Sequence, residues 1–369
     1  MNSVYISSNY SDFIVTYFPA FLVGIGIFAF AINYLLTEKI LFIAVRLRLF
    51  TPSNAKDSHS QPTVALGGIS IFVVTLFTLL LIVGAGFNNS AGFFLASCFL
   101  LLMTGIKDDL VGSSARSKFL IQLFAAFLFV VNPDFALGNL GGFLSFELIN
   151  PNYMTYGLGL LFIVFITNAF NFIDGVDGLC ASIALISFSV FATFFYNQNE
   201  FLYCIFCVVL IGSLSSFLVF NFKEGTKKMF LGDTGALLVG FLVAIFALRI
   251  IELQPLRPFV YHQPKNAVIF VLAVLVIPIF DALRVIWLRL IKGDKPWIAD
   301  RQHVHHLLLN KGYTHKEIVV ILGSLQLLSI IGIVLLNSYN SAILHLFLAF
   351  LFLNFIFLVE FFPKKTLIK

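Results

Sequence analysis

Long apolar runs separated by short polar segments dominate this chain. A spanning helix needs about 20 apolar residues. Eleven runs read as helices, at about 14–36, 66–86, 91–105, 119–131, 156–170, 179–196, 201–220, 235–253, 267–290, 317–336 and 341–361. The third, fourth and fifth runs are short, so their helices either borrow from polar flanks or end in cavities. The pattern predicts an all-α polytopic membrane protein with about 11 transmembrane helices, forming a single integral membrane domain over residues 1–369. No internal repeat is evident. Composition agrees: 60% of residues are hydrophobic and 11% charged, against about 25% charged in soluble domains. The 46 Phe suit lipid-facing and inter-helix packing.

Charge sets the orientation. Connections after odd-numbered runs, with the C-terminal tail, hold 20 of the 23 Lys and Arg; Arg249, Arg257 and Lys265 fall on the other side. Positive residues accumulate on the cytoplasmic side. This predicts an outside N-terminus, a cytoplasmic C-terminus and a 132–155 connection on the outer face. The first twelve residues hold no Lys or Arg, so the first run reads as a retained span rather than a cleaved signal. Cys204 and Cys207 have a redox or zinc spacing but lie in an apolar run, and packing thiols is the simpler reading.

Four polar constellations interrupt this pattern on the predicted cytoplasmic side. The first is GIKDDLVGSSARSKFLIQ, residues 105–122. Asp108 and Asp109 repel each other there unless a cation relieves them, Mg²⁺ or an arginine, and Lys107, Arg116 and Lys118 are close in sequence. The second is NAFNFIDGVDGL, residues 168–179, with Asn168, Asn171, Asp174 and Asp177 at three-residue steps. Gly175 and Gly178 favour a helix end followed by a loosened turn. A cap needs one or two such residues, and unpaired carboxylates beside hydrocarbon are costly, so metal and phosphate binding is the better account. The third is KKMFLGDTGALLVG, residues 227–240, where Asp233 is either a helix N-cap or part of a metal–phosphate site. In the fourth, residues 278–313, Asp281, Arg284 and Arg289 precede Arg301, His303, His305 and His306, with His303 and His306 expected on one helix face. Such a cluster suits a pyrophosphate. Together these are the apparatus of phosphoryl transfer at the membrane–cytoplasm boundary.

These stretches, with Gly67-Gly68 ahead of them, resemble the polyprenyl-phosphate N-acetylhexosamine-1-phosphate transferases of glycosyltransferase family 4. They are more similar to the WecA/TagO branch than to MraY, on the Arg301 to His306 pattern. The motifs run in family order over about 62–309. One position departs: the family's first inner loop carries Pro-Thr-Pro-Arg/Lys-x-Gly-Gly, and here Val64-Ala65 replace the Pro and the basic residue.

The resemblance implies transfer of N-acetylhexosamine 1-phosphate from a UDP-sugar, UDP-GlcNAc or a relative, to undecaprenyl or another polyprenyl phosphate, releasing UMP. It implies Mg²⁺, with Mn²⁺ as a substitute, an active-site groove on the cytoplasmic face of the bacterial inner membrane, a homodimer, and no nucleic-acid partner. The product would start a cell-envelope polysaccharide such as O-antigen, capsule or teichoic acid. In the implied site Asp109, Asp177 and Asp233 hold the metal, and Asp108 orients or deprotonates the lipid phosphate. Asn168, Asn171, Asp174 and Lys118 bind substrate, and Arg301, His303, His305 and His306 grip pyrophosphate or sugar. An aspartyl-phosphate route is the mechanistic rival. An ion- or proton-coupled transporter is the non-enzyme alternative, although its carboxylates belong near mid-bilayer. A CDP-alcohol phosphotransferase fits less well, because Asp177-Gly178 continues Leu-Cys-Ala-Ser.

Overall fold

The computed structural model describes residues 8–50, 63–84, 91–131, 151–253, 266–295, 301–336, 341–361 and 363–364. Thirteen α-helices occur among them. They are α1 (Ser8–Arg46), α2 (Gly67–Gly84), α3 (Ala91–Val111), α4 (Ala115–Val130), α5 (Pro151–Ile173), α6 (Leu179–Asn197), α7 (Phe201–Asn221), α8 (Gly232–Glu252), α9 (Ala267–Val274), α10 (Val276–Ile291), α11 (Val304–Asn310), α12 (His315–Leu336) and α13 (Ser341–Phe361). Most of the expected 132–155 connection lies outside the described residues.

Every predicted apolar run is helical, and the short third to fifth runs gain length from their polar flanks. α3 continues through Asp108 and Asp109, and α5 through Asn168 and Asn171. Among the described residues six helices are long and apolar enough to cross a membrane, or seven if the bent pair α9–α10 counts as one span. The chain is a multi-pass membrane protein. The ninth run departs from expectation: it is two helices bent by 80° at Leu275. Pro278 explains the position, because it has no N–H to close the turn onto Val274.

α8 is the axis of the bundle. It packs against α2, α3, α5, α6 and α9, and its residues from Thr234 to Leu248 are buried all round. A helix apolar on every face belongs in the interior. Its N-terminal end is therefore wrapped by its neighbours at close range. A Cβ on Gly68 of α2 would lie 2.2 Å from the Gly235 nitrogen, and one on Gly105 of α3 2.3 Å from the Thr234 Cα. Residues 64–68 also run along 229–231. Phe230 N donates to Val64 O at 2.8 Å, Gly67 N to Phe230 O at 3.0 Å and Gly68 N to Leu231 O at 3.1 Å. Ala65, where the family carries a basic residue, is a buried packing position within this pairing. Cys204 and Cys207 are buried, unbridged thiols of α7.

Candidate active site

The start of α8 is the focus of the site. Gly232 adopts φ +71°, a left-handed conformation that glycine enters without strain. Asp233 follows as the second residue of the helix, so it is not the N-cap, which is Leu231. The cap comes from α3: Asp109 accepts from Asp233 N at 2.8 Å, Thr234 N at 3.0 Å and Thr234 Oγ1 at 2.6 Å. Both Asp109 oxygens are thus committed to anchoring α8. The N-cap alternative for Asp233 is answered, and its carboxylate faces other partners.

Those partners are Lys118, Asp108 and Asn171. The Lys118 ammonium lies 2.5 Å from Asp108 and also bonds Asp233, and the Asn171 side chain hydrogen-bonds Asp233. The cation expected to relieve the Asp108–Asp109 pair is therefore Lys118 in part, acting on Asp108 alone. Asp174 sits in the turn between α5 and α6, within electrostatic reach of Asp233, Asp109 and Asp177. Burial first, then the charges of Asp233, Asp109 and Asp177, push its carboxyl well above the ordinary range.

Asp177 belongs to a second cluster. Its Oδ2 accepts from Lys228 at 2.6 Å and lies 2.6 Å from His315 Nδ1. Burial opposes its charged form, but His315 and Lys228 outweigh that and hold the carboxyl below the usual range.

The third cluster holds the histidine segment. Asp281, fully buried on α10, accepts from Val304 N at 2.9 Å and lies 2.8 Å from His303 Nδ1 and 3.3 Å from Arg284. Arg284 also reaches the Gln302 carbonyl. His303 is therefore an extended residue ahead of α11 rather than a member of it, so His303 and His306 do not share a helix face. Instead the rings run in series, His303 stacked on His305 at 5.9 Å and His305 tilted against His306 at 4.2 Å. His305 is buried against the bare backbone of Gly175, where a Cβ would come within 2.2 Å of Nε2. Burial first, then His306, lowers its pKa to about 3, so the ring is neutral at pH 7. This contact sets the histidines beside the Asp174–Asp177 turn. Arg301 lies exposed at the edge.

The structure thus gathers Asp108, Asn171, Lys118 and Asp233, with Asp174 near them. Of the three expected metal ligands, Asp109 bonds the start of α8 and Asp177 bonds Lys228 and His315, and all three lie within electrostatic reach of Asp174. As the side chains stand, no group of three His, Cys, Asp or Glu among the described residues forms a ready ligand set for a metal. The donors around Asp233 nonetheless fit a hard divalent cation, being carboxylate and amide oxygens. Asn168, expected to bind substrate, donates its Nδ2 to Gln122 Oε1 at 2.6 Å and Val164 O at 2.8 Å, and so ties α5 to α4. Lys228, His315 and Asp281 were given no role in the expected site, although Lys228 lies in the third polar segment and Asp281 in the fourth.

Residues 91–251 match Glycosyl transferase family 4. The chain is 30% identical to the decaprenyl-phosphate N-acetylglucosaminephosphotransferase of Mycobacterium leprae strain TN, over 81% of this chain and 79% of the relative. It is 27% identical to the undecaprenyl-phosphate alpha-N-acetylglucosaminyl 1-phosphate transferase of Escherichia coli strain K12, over 90% and 89%. With the motif carboxylates gathered at the head of a buried helix, these similarities place the chain in glycosyl transferase family 4.

Proposed function

We propose that this chain moves an N-acetylhexosamine 1-phosphate from a UDP-linked donor to polyprenyl phosphate, releasing UMP. We place it in a bacterial cytoplasmic membrane with about eleven spans, its N-terminus outside and the site at the cytoplasmic face. A homodimer is part of the same reading. The supporting observation is the meeting of Asp108, Lys118, Asn171 and Asp233 at the start of α8, from three separate polar segments. The polyprenyl phosphate substrates in the relatives' names support it further. A transporter has no comparable support.

In the proposed reaction an oxygen of the lipid phosphate attacks the phosphorus that carries the sugar. A new P–O–P bond forms, the bond to UMP breaks, and UMP leaves with the electron pair. One phosphoanhydride replaces another, so catalysis rests on positioning and charge neutralisation. Asp233, Asp108 and Asp174, with the Asn171 amide, would hold Mg²⁺. When bound, the ion neutralises phosphate charge and polarises the phosphoryl oxygens. Asp108 orients the lipid phosphate or takes its proton, and Lys118 neutralises a phosphate oxygen. Arg301 and the histidines grip the pyrophosphate or sugar. Neutral His305 offers a hydrogen bond rather than a charge.

The test is isotope exchange in membranes: labelled UMP should enter UDP-sugar only with both Mg²⁺ and polyprenyl phosphate present. Exchange without the lipid would point to the aspartyl-phosphate route. Screening UDP-GlcNAc, UDP-GalNAc and their deoxy derivatives identifies the donor. In the same assay Gly175→Ala should lower turnover about tenfold or more, because a displaced His305 costs alignment. Unchanged turnover would remove His305 from the site.

A further inference from the structure

Gln326 lies fully buried in the middle of α12, outside the four polar segments of the sequence. Its Nε2 donates to Val274 O at 2.7 Å, and also reaches Ser187 Oγ at 3.0 Å and Ile183 O at 3.3 Å. Val274 O is the one carbonyl that an unbroken helix would satisfy from residue 278. Residue 278 is proline and has no N–H. The flanking bonds are intact: Leu275 N donates to Val271 O at 2.9 Å and Ile279 N to Leu275 O at 3.1 Å. A carbonyl orphaned inside hydrocarbon needs a donor from a neighbouring element, and Gln326 supplies it.

We infer that Gln326 is a positioning residue for the transfer, a latch that fixes the 80° bend between α9 and α10. The connection to the site runs through α10. Asp281 and Arg284 lie on its buried side, and Leu283, Trp287, Leu290 and Ile291 on its exposed side. Asp281 holds His303 and Val304, and His305 follows against Gly175. A bend free to open would swing Asp281 and carry the histidine segment away from the Asp174–Asp177 turn. Gln326 touches none of these groups and acts only by setting the angle. Its bearing on turnover rests on the proposed role of the histidine segment.

The experiment uses the full chain in nanodiscs, with spin labels on Trp287→Cys and Leu335→Cys. Both positions are exposed, at 65% and 71%, and the four native thiols are buried. The parent protein should give one narrow label-to-label distance. Gln326→Leu keeps the volume and removes the donor. It should broaden or shift that distance and lower turnover about 10²-fold, the scale of an ångström-level misalignment. A combined Gln326→Leu/Pro278→Ala variant returns an N–H to position 278, so the chain can again satisfy Val274 O. Thermal stability should then recover while the distance and turnover stay altered. Recovery of turnover together with stability would overturn the latch and leave Gln326 a plain buried donor. An unchanged distance in Gln326→Leu would overturn it as well. If Gln326→Leu fails to fold, the combined variant carries the same distance readout. Absence of exchange in the parent protein would sink the proposed function instead, leaving the distance measurement as the test of the bend.

Discussion

Asp233→Asn is expected to lower UMP exchange by about 10²-fold or more, the scale at which removing one preorganised electrostatic group acts, while the protein folds and inserts normally. The reason lies in how α8 begins. Its cap is supplied by Asp109 from α3, so the Asp233 side chain does not hold the helix together. It faces Lys118, Asp108 and Asn171 instead. Asparagine keeps the shape and one acceptor oxygen but loses the charge that a divalent cation and Lys118 both require. Exchange kinetics and a thermal melt on the same preparation check this. Near-normal turnover would remove Asp233 from the centre of the chemistry, and a large loss of stability would return it to a structural role.

Asp109→Ala is expected to fail differently, losing stability as well as turnover. It strips the acceptor from two backbone N–H groups and the Thr234 hydroxyl. Each buried donor left without a partner costs about 1–3 kcal/mol, and the negative charge that favours a helix N-terminus goes with them. Asp109→Asn should share much of the defect, because its NH₂ would point at groups that are themselves donors. The start of α8 loosens, and Asp233 and the Gly232 turn move with it. A thermal melt without any added divalent cation separates the possibilities. A marked drop supports the cap, whereas an unchanged melt with lost activity would make Asp109 a direct ligand.

Much of this architecture was legible in the order of polar and apolar residues. Each apolar run except the ninth is a single helix, and the glycines at 175 and 178 do mark a helix end and a turn. Asp108, Asn171, Asp174 and Asp233 stand out because carboxylates and amides at an apolar boundary need a reason to be there. Division of labour among them was not legible. Asp108 and Asp109 are neighbours in sequence, yet successive residues on a helix point about 100° apart. One therefore meets Lys118 and the other the end of α8. Nothing in local spacing tells that Lys228 or His315, 51 and 138 residues from Asp177, will draw that carboxylate aside. Asn168 shares the motif's rhythm, but its amide is taken by Gln122. The break in the ninth run hid behind uniform hydropathy, with Pro278 as its only sign.

Mn²⁺ titration followed by electron paramagnetic resonance, without nucleotide or lipid, tests the central arrangement most directly. The parent protein should bind one ion, lost or strongly weakened in Asp233→Asn and Asp174→Asn and retained in Asp177→Asn. Retention in Asp233→Asn and Asp174→Asn, with loss in Asp177→Asn, would contradict it.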